Sequence, residues 1–293
     1  MMLRIGAADV PVGRMVESQD VSDARSSLDE HGYALLRSVI PPELVRDAGK
    51  VLAASLDTEG WLRPGTPHEQ LVAADSIKGG MFPLEVAHRS ANHPAVRRCV
   101  QGPEIFELFK QLFGEPAVSL DFKWFRAIRG HTTSATLSGA GLHMDRVYMG
   151  RGSSQLHTVW LPWHDVPVER GGLAVLSGSH RLAGFQRMRE TYGMHDTGFS
   201  DIKDAGGWGA DSDELVGMDP DSQWVTTDYK AGDLLVFTMF TMHGAVQNTT
   251  TNQLRLSADI RFQPRSHPVD NRYTAHGPEW IDTPSSAQID FNE

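Results

Sequence analysis

The stretch of sequence that decides the fold is Arg255-Leu256-Ser257-Ala258-Asp259-Ile260-Arg261-Phe262. Polar and apolar residues alternate along it without a break, and successive side chains of a β-strand point to opposite faces. The stretch therefore predicts a strand with one charged face and one apolar face. Two interpretations fit this pattern: an edge strand whose charges face water, or a strand whose polar face points into a barrel. We favour the barrel.

A lone histidine, His243, precedes this strand, and the polar segment 247–252 between them is typical of a turn. Upstream, the turn residues 231–233 lead into the apolar run 234–237, which predicts another strand. His243 therefore lies where a strand meets a loop, a common location for a metal ligand.

His143-Met144-Asp145 supplies two more ligand-type side chains about a hundred residues upstream. We predict a strand over His143–Met149, in which His143 and Asp145 point the same way and can bind one ion. With His243 they would form a facial triad. Two imidazoles and one carboxylate suit Fe(II) and leave three adjacent positions open for a bidentate cosubstrate and O2.

The polar face of the strand at 255–262 can serve such a cosubstrate. Arg255 can hold a distal carboxylate through two parallel charge-assisted hydrogen bonds, and Ser257 can add a hydroxyl donor. Asp259 and Arg261, deeper along the strand, are expected to neutralise each other.

Several motifs occur in a defined order along the chain. They are His143-x-Asp145, Trp160-Leu161-Pro162-Trp163-His164-Asp165-Val166-Pro167, Gly171-Gly172-Leu173-x-x-Leu176-Ser177-Gly178-Ser179-His180, Gly232-Asp233, His243 and Arg255-x-Ser257. This ordered set resembles the phytanoyl-CoA dioxygenase family of Fe(II)/2-oxoglutarate oxygenases over about residues 30–265. The resemblance implies a mainly β fold: a double-stranded β-helix, or jelly-roll barrel, braced by N-terminal helices.

The resemblance also implies a cofactor set of Fe(II) and 2-oxoglutarate, with O2 as cosubstrate. By position, His143, Asp145 and His243 match the iron ligands of the family, and Arg255 matches its 2-oxoglutarate anchor. The loop between His243 and Arg255 is about a residue longer than expected, which leaves Arg261 open as the anchor. By family analogy, Thr158 is a further donor to 2-oxoglutarate.

The reaction expected from the resemblance is hydroxylation of an unactivated C–H bond of a small molecule, with release of succinate and CO2. A secondary metabolite is the substrate class expected from bacterial members. Related halogenases replace the carboxylate with a small residue, so Asp145 favours hydroxylation, desaturation or ring formation. Two other classes stay open: a zinc hydrolase using the same three ligands, and a non-catalytic jelly-roll binding protein.

No internal repeat or linker divides the chain, so we expect one domain over residues 1–293. We predict a helical N-terminal part over about 20–115 and a barrel over about 117–265. The predicted helices and strands are 23–30 (helix), 33–36 (strand), a helix opening at 41–42, one helix from 93 to 114, and strands at 117–128, 143–149, 155–163, 173–176, 224–229, 234–240 and 255–262.

Composition limits the partners and the location. The net charge of −10 argues against a nucleic-acid partner, and no apolar run approaches the roughly 20 residues that span a membrane. The single cysteine, Cys99, and the absence of a secretory signal at the start predict a cytoplasmic protein. The oligomeric state is not predicted.

Two segments are candidates for a substrate mouth: Trp61–Phe82 and a lid insertion at about 184–223. The second segment carries nine acidic residues against three Arg or Lys, which disfavours highly anionic substrates such as acyl-CoA thioesters. Arg126 and Trp208 are the candidate substrate contacts.

Overall fold

The computed structural model describes residues 1–6, 8–130, 142–191 and 212–273. The β-strands are β1 (Met2–Ile5), β2 (Ala8–Arg14), β3 (Glu17–Ser18), β4 (Tyr33–Leu36), β5 (Gly80–Met81), β6 (Ala117–Ser119), β7 (Trp124–Arg129), β8 (His157–Pro162), β9 (Leu173–Ser177), β10 (Gln223–Thr226), β11 (Leu234–Thr238), β12 (His243–Ala245) and β13 (Leu254–Pro264). The α-helices are α1 (Val21–His31), α2 (Pro42–Thr58), α3 (Leu84–Ala91), α4 (Pro94–Val100), α5 (Pro103–Phe113), α6 (Arg146–Met149), α7 (Gln186–Thr191) and α8 (Ser212–Gly217).

The strands form two sheets that face each other. The smaller has the order β1-β2-β10-β9-β12, and the larger has the order β3-β4-β11-β8-β13-β7-β5, with β6 paired to β13. Buried side chains from both sheets pack in one cluster, among them Trp160 and Phe237 of the larger sheet and Val175 of the smaller. The predicted fold, a mainly β jelly roll with flanking helices, is confirmed.

Helices cover the outer face of the larger sheet. Leu52 of α2 and Phe109 of α5 belong to the same buried cluster as Ile260 and Phe262 of β13. The rings of Phe109 and Phe262 stack with centroids 4.4 Å apart. The apolar face of β13 is therefore packed under helices, and its polar face points between the sheets, as predicted.

Glycine and proline set where the helices of the N-terminal region end. Gly32 ends α1 in the left-handed conformation with φ of 82°, and its N–H donates to Leu28. The single helix predicted from 93 to 114 is wrong, because it divides into α4 and α5. Pro103 lacks an N–H and disfavours helical backbone at Gly102, so the first helix stops there.

The barrel begins before residue 117, which corrects the predicted boundary. Strand β2 pairs in parallel with β10, with Val12 opposite Trp224, and β4 pairs antiparallel with β11. The strand predicted at 117–128 is interrupted and forms β6 and β7.

The two predicted mouth segments are partly built into the sheets and the core. Strand β5, at the end of the segment 61–82, pairs with β7. In the segment 184–223, Phe185 and Leu215 are buried in a cluster with β-strand residues, so its described ends are packed. Residues 192–211 of that segment lie outside the described ranges. Among the helices of the described ranges, none has the length and apolar character needed to cross a bilayer.

Candidate metal centre

Three ligand-type side chains meet between the two sheets: His143, Asp145 and His243. The Nε2 atom of His143 lies 3.5 Å from Oδ1 of Asp145, and Nε2 of His243 lies 3.9 Å from the same oxygen. All three residues are buried. A divalent ion with ligands at about 2.1 Å brings neighbouring donor atoms to about 3 Å from each other, so small movements would complete the site.

The backbone sets the two imidazoles side by side. His143 and His243 form an isolated antiparallel bridge, in which the N–H of each donates to the carbonyl of the other at 3.1 and 3.0 Å. Their ring centroids are 4.3 Å apart. Residues a hundred positions apart in the chain are thus fixed as neighbours by main-chain hydrogen bonds.

The surroundings of His243 leave the correct nitrogen available for a metal. Its Nδ1 lies 3.0 Å from the carbonyl oxygen of Thr241. Because a carbonyl can only accept, Nδ1 carries the proton and Nε2 presents its lone pair towards Asp145. Burial and the neighbouring His143 lower the pKa of His243 to about 4, so the ring is neutral at neutral pH.

Asp145 is placed by a helical turn, not by a strand, so the strand predicted over 143–149 is wrong. Asp145 has helical backbone and directly precedes α6, and its carbonyl accepts from the N–H groups of Tyr148 and Met149. Val147 packs against one apolar cluster and Met149 is buried in another. The helical conformation directs the side chains of Val147 and Met149 towards these two clusters.

The carboxylate of Asp145 is surrounded by donors and cations. Nη2 of Arg261 lies 3.1 Å from both carboxylate oxygens, and the Thr158 hydroxyl donates to Oδ2. Burial alone would raise the pKa of Asp145, but Arg261 and the two histidines outweigh it and hold this pKa well below its usual value. The hydroxyl of Thr158 donates to Asp145 in this structure, and its expected donation to 2-oxoglutarate stays a prediction.

Arg255 is a buried cation with no carboxylate partner among the described residues. Its Nε donates to the Gly171 carbonyl at 2.9 Å, its Nη1 donates to the Ser257 hydroxyl at 2.5 Å, and the guanidinium lies 5.6 Å from the centre of the Trp160 ring. Burial and the charge of Arg126 lower the pKa of Arg255 to about 10, so it stays charged at neutral pH. A desolvated cation of this kind is suited to bind an anion.

The expected neutralisation of Asp259 by Arg261 is wrong. Asp259 is paired with Arg126, whose Nε lies 2.8 Å from Oδ2, and Arg261 is paired with Asp145. The cause lies in the register of β7, which puts Arg126 opposite Ser257 and thus within reach of Asp259. Sequence alternation predicts the face of each charge but not its partner on another strand.

A cavity of about 30 Å³ lies between the two histidines of the triad and Arg255. Its polar and aromatic lining comprises Arg126, His143, Trp160, His243, Arg255 and Asp259. Met81 of β5 lies opposite Arg126 in the sheet and is half exposed. Trp208, the other predicted substrate contact, lies outside the described residues.

Sequence reasoning missed three aromatic neighbours of the site. The Tyr148 ring meets His143 edge to face at 5.3 Å, Trp124 lies under the Arg261 guanidinium at 4.3 Å, and Trp160 lies beside Arg255. Trp160 shares the inward face of β8 with Thr158, so strand alternation was a usable signal for it. Tyr148 is placed by α6, which the sequence did not reveal.

Comparison with known families now decides the classification. Residues 28–256 match the family model "Phytanoyl-CoA dioxygenase (PhyH)", which is most of the chain. The chain belongs to the phytanoyl-CoA dioxygenase family. It is therefore a non-haem iron, 2-oxoglutarate-dependent oxygenase, and the zinc hydrolase and the non-catalytic binding protein are set aside. The buried His-Asp-His cluster fits the iron that such an enzyme carries.

Individual relatives and solved structures agree with this family assignment. The chain is 28% identical over 245 residues to the 1-deoxypentalenic acid 11-beta-hydroxylase of Streptomyces arenae, covering 81% of this chain and 79% of that protein. Among solved structures, it resembles the non-heme alpha-ketoglutarate-dependent carbocyclase SnoK from nogalamycin biosynthesis, with a TM-score of 0.58, 19% identity and 91% of each chain covered. The epimerase SnoN in complex with Fe3+, alpha-ketoglutarate and nogalamycin RO gives a TM-score of 0.56 at 20% identity, with 85% of each chain covered. At these identities the two structures bear on the fold alone.

Proposed function

We propose that this oxygenase hydroxylates an unactivated C–H bond of a small-molecule secondary metabolite, using iron held by His143, Asp145 and His243. The observation that carries the proposal is the cavity that the two histidines of the buried triad share with Arg255, a desolvated arginine without a carboxylate partner among the described residues. Bound iron and 2-oxoglutarate supply the oxidising chemistry for this step, with succinate and CO2 released.

Arg255 is the proposed anchor for the distal carboxylate of 2-oxoglutarate. Its guanidinium is fixed by the Gly171 carbonyl and the Ser257 hydroxyl, so it is already oriented towards the cavity before the cosubstrate arrives. Ser257 is the proposed second donor to the same carboxylate. Arg261, the alternative anchor, is engaged with Asp145 and does not line the cavity.

The remaining wall of the cavity is available to the substrate. Arg126 lines the cavity and Met81 lies opposite it on the neighbouring strand, which offers one charged and one apolar contact. We propose both as substrate contacts, together with Trp208 beyond the described residues. The chain's task is then to bring one C–H bond close to the metal and to exclude water from it.

The first experiment tests the cofactors without knowledge of the substrate. Purified protein is loaded anaerobically with Fe(II) and 2-oxoglutarate, and the weak visible charge-transfer band of the chelated keto acid is recorded. His143→Ala serves as the matched control without a complete triad. A band in the wild type and none in the control supports the proposal, whereas no band in the wild type contradicts it.

The second experiment identifies the substrate class. Candidate metabolites are screened for stimulated succinate release, beginning with small polycyclic carboxylic acids because the Streptomyces arenae relative is named for one. Mass spectrometry then separates the reaction types: gain of one oxygen indicates hydroxylation, and loss of two hydrogens indicates desaturation or ring closure. The second result would replace hydroxylation with the alternative reactions of the same site.

A further inference from the structure

The Asp145 carboxylate is held on three sides by different parts of the chain. Oδ1 faces the Nε2 atoms of His143 and His243, Oδ2 accepts from the Thr158 hydroxyl, and Nη2 of Arg261 lies equally distant from both oxygens. Oδ2 therefore accepts from both Thr158 and Arg261, whereas Oδ1 accepts from Arg261 and is the oxygen that faces the two histidines at the metal position.

We infer that Arg261 and Thr158 are positioning residues that restrict Asp145 to binding iron through a single oxygen. This inference rests on the proposed function, in which Asp145 is an iron ligand. Neither residue touches the cavity itself, so each would act only through the carboxylate.

The sheet holds both residues in place for this role. Arg261 on β13 is directly opposite Thr158 on β8, so the two side chains share the inward face at the level of Asp145. Arg261 also lies 4.3 Å from the centre of the Trp124 ring, and its Nη1 donates to the Asp259 carbonyl at 3.3 Å. Both side chains are buried, so water does not compete for their hydrogen bonds.

One donor of Arg261 is left over in this arrangement. Its Nε is buried and has no hydrogen-bond partner among the described residues. A guanidinium placed only for stability would be expected to use all of its donors, because leaving a buried donor unsatisfied destabilises the fold. The position of Arg261 is therefore explained by its contact with the Asp145 carboxylate.

The number of oxygens that Asp145 contributes decides how many metal positions stay open. Three single-atom ligands leave three positions, of which 2-oxoglutarate takes two and one remains for a diatomic molecule. A carboxylate that binds through both oxygens takes one position more and closes the last. Loss of Arg261 or Thr158 frees Oδ2 for that second bond.

Nitric oxide, a stable analogue of O2, tests this inference on the enzyme loaded with Fe(II) and 2-oxoglutarate under anaerobic conditions. The variants are Arg261→Met and the near-isosteric Thr158→Val. We expect both to keep the charge-transfer band of bound 2-oxoglutarate but to bind nitric oxide more weakly, by about 10- to 100-fold for Arg261→Met and less for Thr158→Val. The electron paramagnetic resonance signal of the iron-nitrosyl complex gives the affinity.

Arg37→Met is the matched control, because it removes an arginine that is also paired with a buried carboxylate, Asp233, which is not a metal ligand. Its nitric oxide affinity should equal that of the wild type. Unchanged affinity in Arg261→Met, or loss of iron from it, overturns the inference. If Arg261→Met does not fold, Thr158→Val decides in the same way. Absence of the charge-transfer band in the wild type would instead contradict the proposed function.

Discussion

Arg255 and Arg261 lie on the same face of one strand, yet their surroundings differ. Both are almost fully buried. Arg261 meets the carboxylate of Asp145, whereas Arg255 meets a carbonyl, a hydroxyl and an aromatic ring. Burying a cation is costly unless an anion compensates it. The difference therefore indicates that the Arg255 end of the strand is completed by an anion from outside the chain.

This contrast divides the inner face of β13 into two parts. At one end Arg261 stabilises a residue of the metal centre, and at the other Arg255 is directed into the cavity that reaches the same centre. The pair of Arg126 and Asp259 lies between them and is neutral overall. We expect substitutions at the two ends to alter different measurable properties.

We expect the largest loss of metal binding and activity when either histidine of the triad is replaced. His143→Ala or His243→Ala should abolish Fe(II) binding and succinate formation, because two remaining ligands hold a divalent ion poorly against water. Metal content and succinate release are measured for each variant. His31→Ala is the control, because this histidine ends α1 and its ring packs against Tyr33. Succinate production near the wild-type rate in either triad variant would refute the ligand assignment.

Removing the carboxylate tests the Arg261 end. Asp145→Gly should lose hydroxylation, since the site loses its one anionic protein ligand, while the fold is retained. The vacated position faces the Arg261 guanidinium and the Thr158 hydroxyl, so we expect it to bind chloride. Circular dichroism checks the fold, and the response of the iron spectrum to added chloride checks the anion site. Wild-type hydroxylation by Asp145→Gly would show that Asp145 is not a ligand.

Arg255→Gln tests the other end and should raise the KM for 2-oxoglutarate at least about tenfold. Losing a charge-assisted pair in a desolvated pocket costs on the order of 2–4 kcal/mol. Arg255→Lys keeps the charge but not the planar fork, so it should recover part of the affinity. Steady-state kinetics at saturating Fe(II) measure both variants. A KM that is unchanged in Arg255→Gln would place the anchor elsewhere.

The sequence correctly predicted which residues of the strand at 255–262 point towards the site. Strict alternation over 255–262 placed Arg255 and Arg261 on the inner face and Phe262 under the helices, as the structure has them. The three ligand-type residues were also gathered correctly, from their residue types and from the family resemblance. These features depend on local periodicity, which a single strand carries in its own sequence.

The predictions that were wrong concern features that are set by contacts between distant segments of the chain. The turn at Asp145 is set by packing of α6 into two clusters, and the pairing of Arg126 with Asp259 is set by the register of β7 against β13. Strand β2 of the smaller sheet pairs with β10, over two hundred residues away in the chain, with Val12 opposite Trp224. Such pairings leave no local pattern, because either strand alone is compatible with many partners.

The smallest expected effect concerns His164, which fixes the strand beside Arg255. Its Nε2 accepts from the N–H of Leu256 at 3.0 Å, and its Nδ1 lies 2.7 Å from the Asp165 carbonyl, so the ring must be neutral. Burial, together with Arg170 and Arg255, lowers the pKa of His164 to about 3, from an ordinary value of 6.5. The neutral ring therefore stabilises the fold fully above pH 6.5, and this contribution is lost as the pH falls from 6.5 towards 3.

His164→Gln tests this assignment, because its amide oxygen can accept from Leu256 and does not titrate. Thermal unfolding of the metal-free protein is compared between about pH 7.5 and pH 5.5. The wild type should lose about 2–4 °C more in Tm over this range than the variant, because the other histidines titrate in both proteins and cancel. Equal losses in the two proteins would mean that His164 does not hold the strand through its neutral form. The Arg255 end would then be supported by its pairing with β7 and by the Gly171 contact.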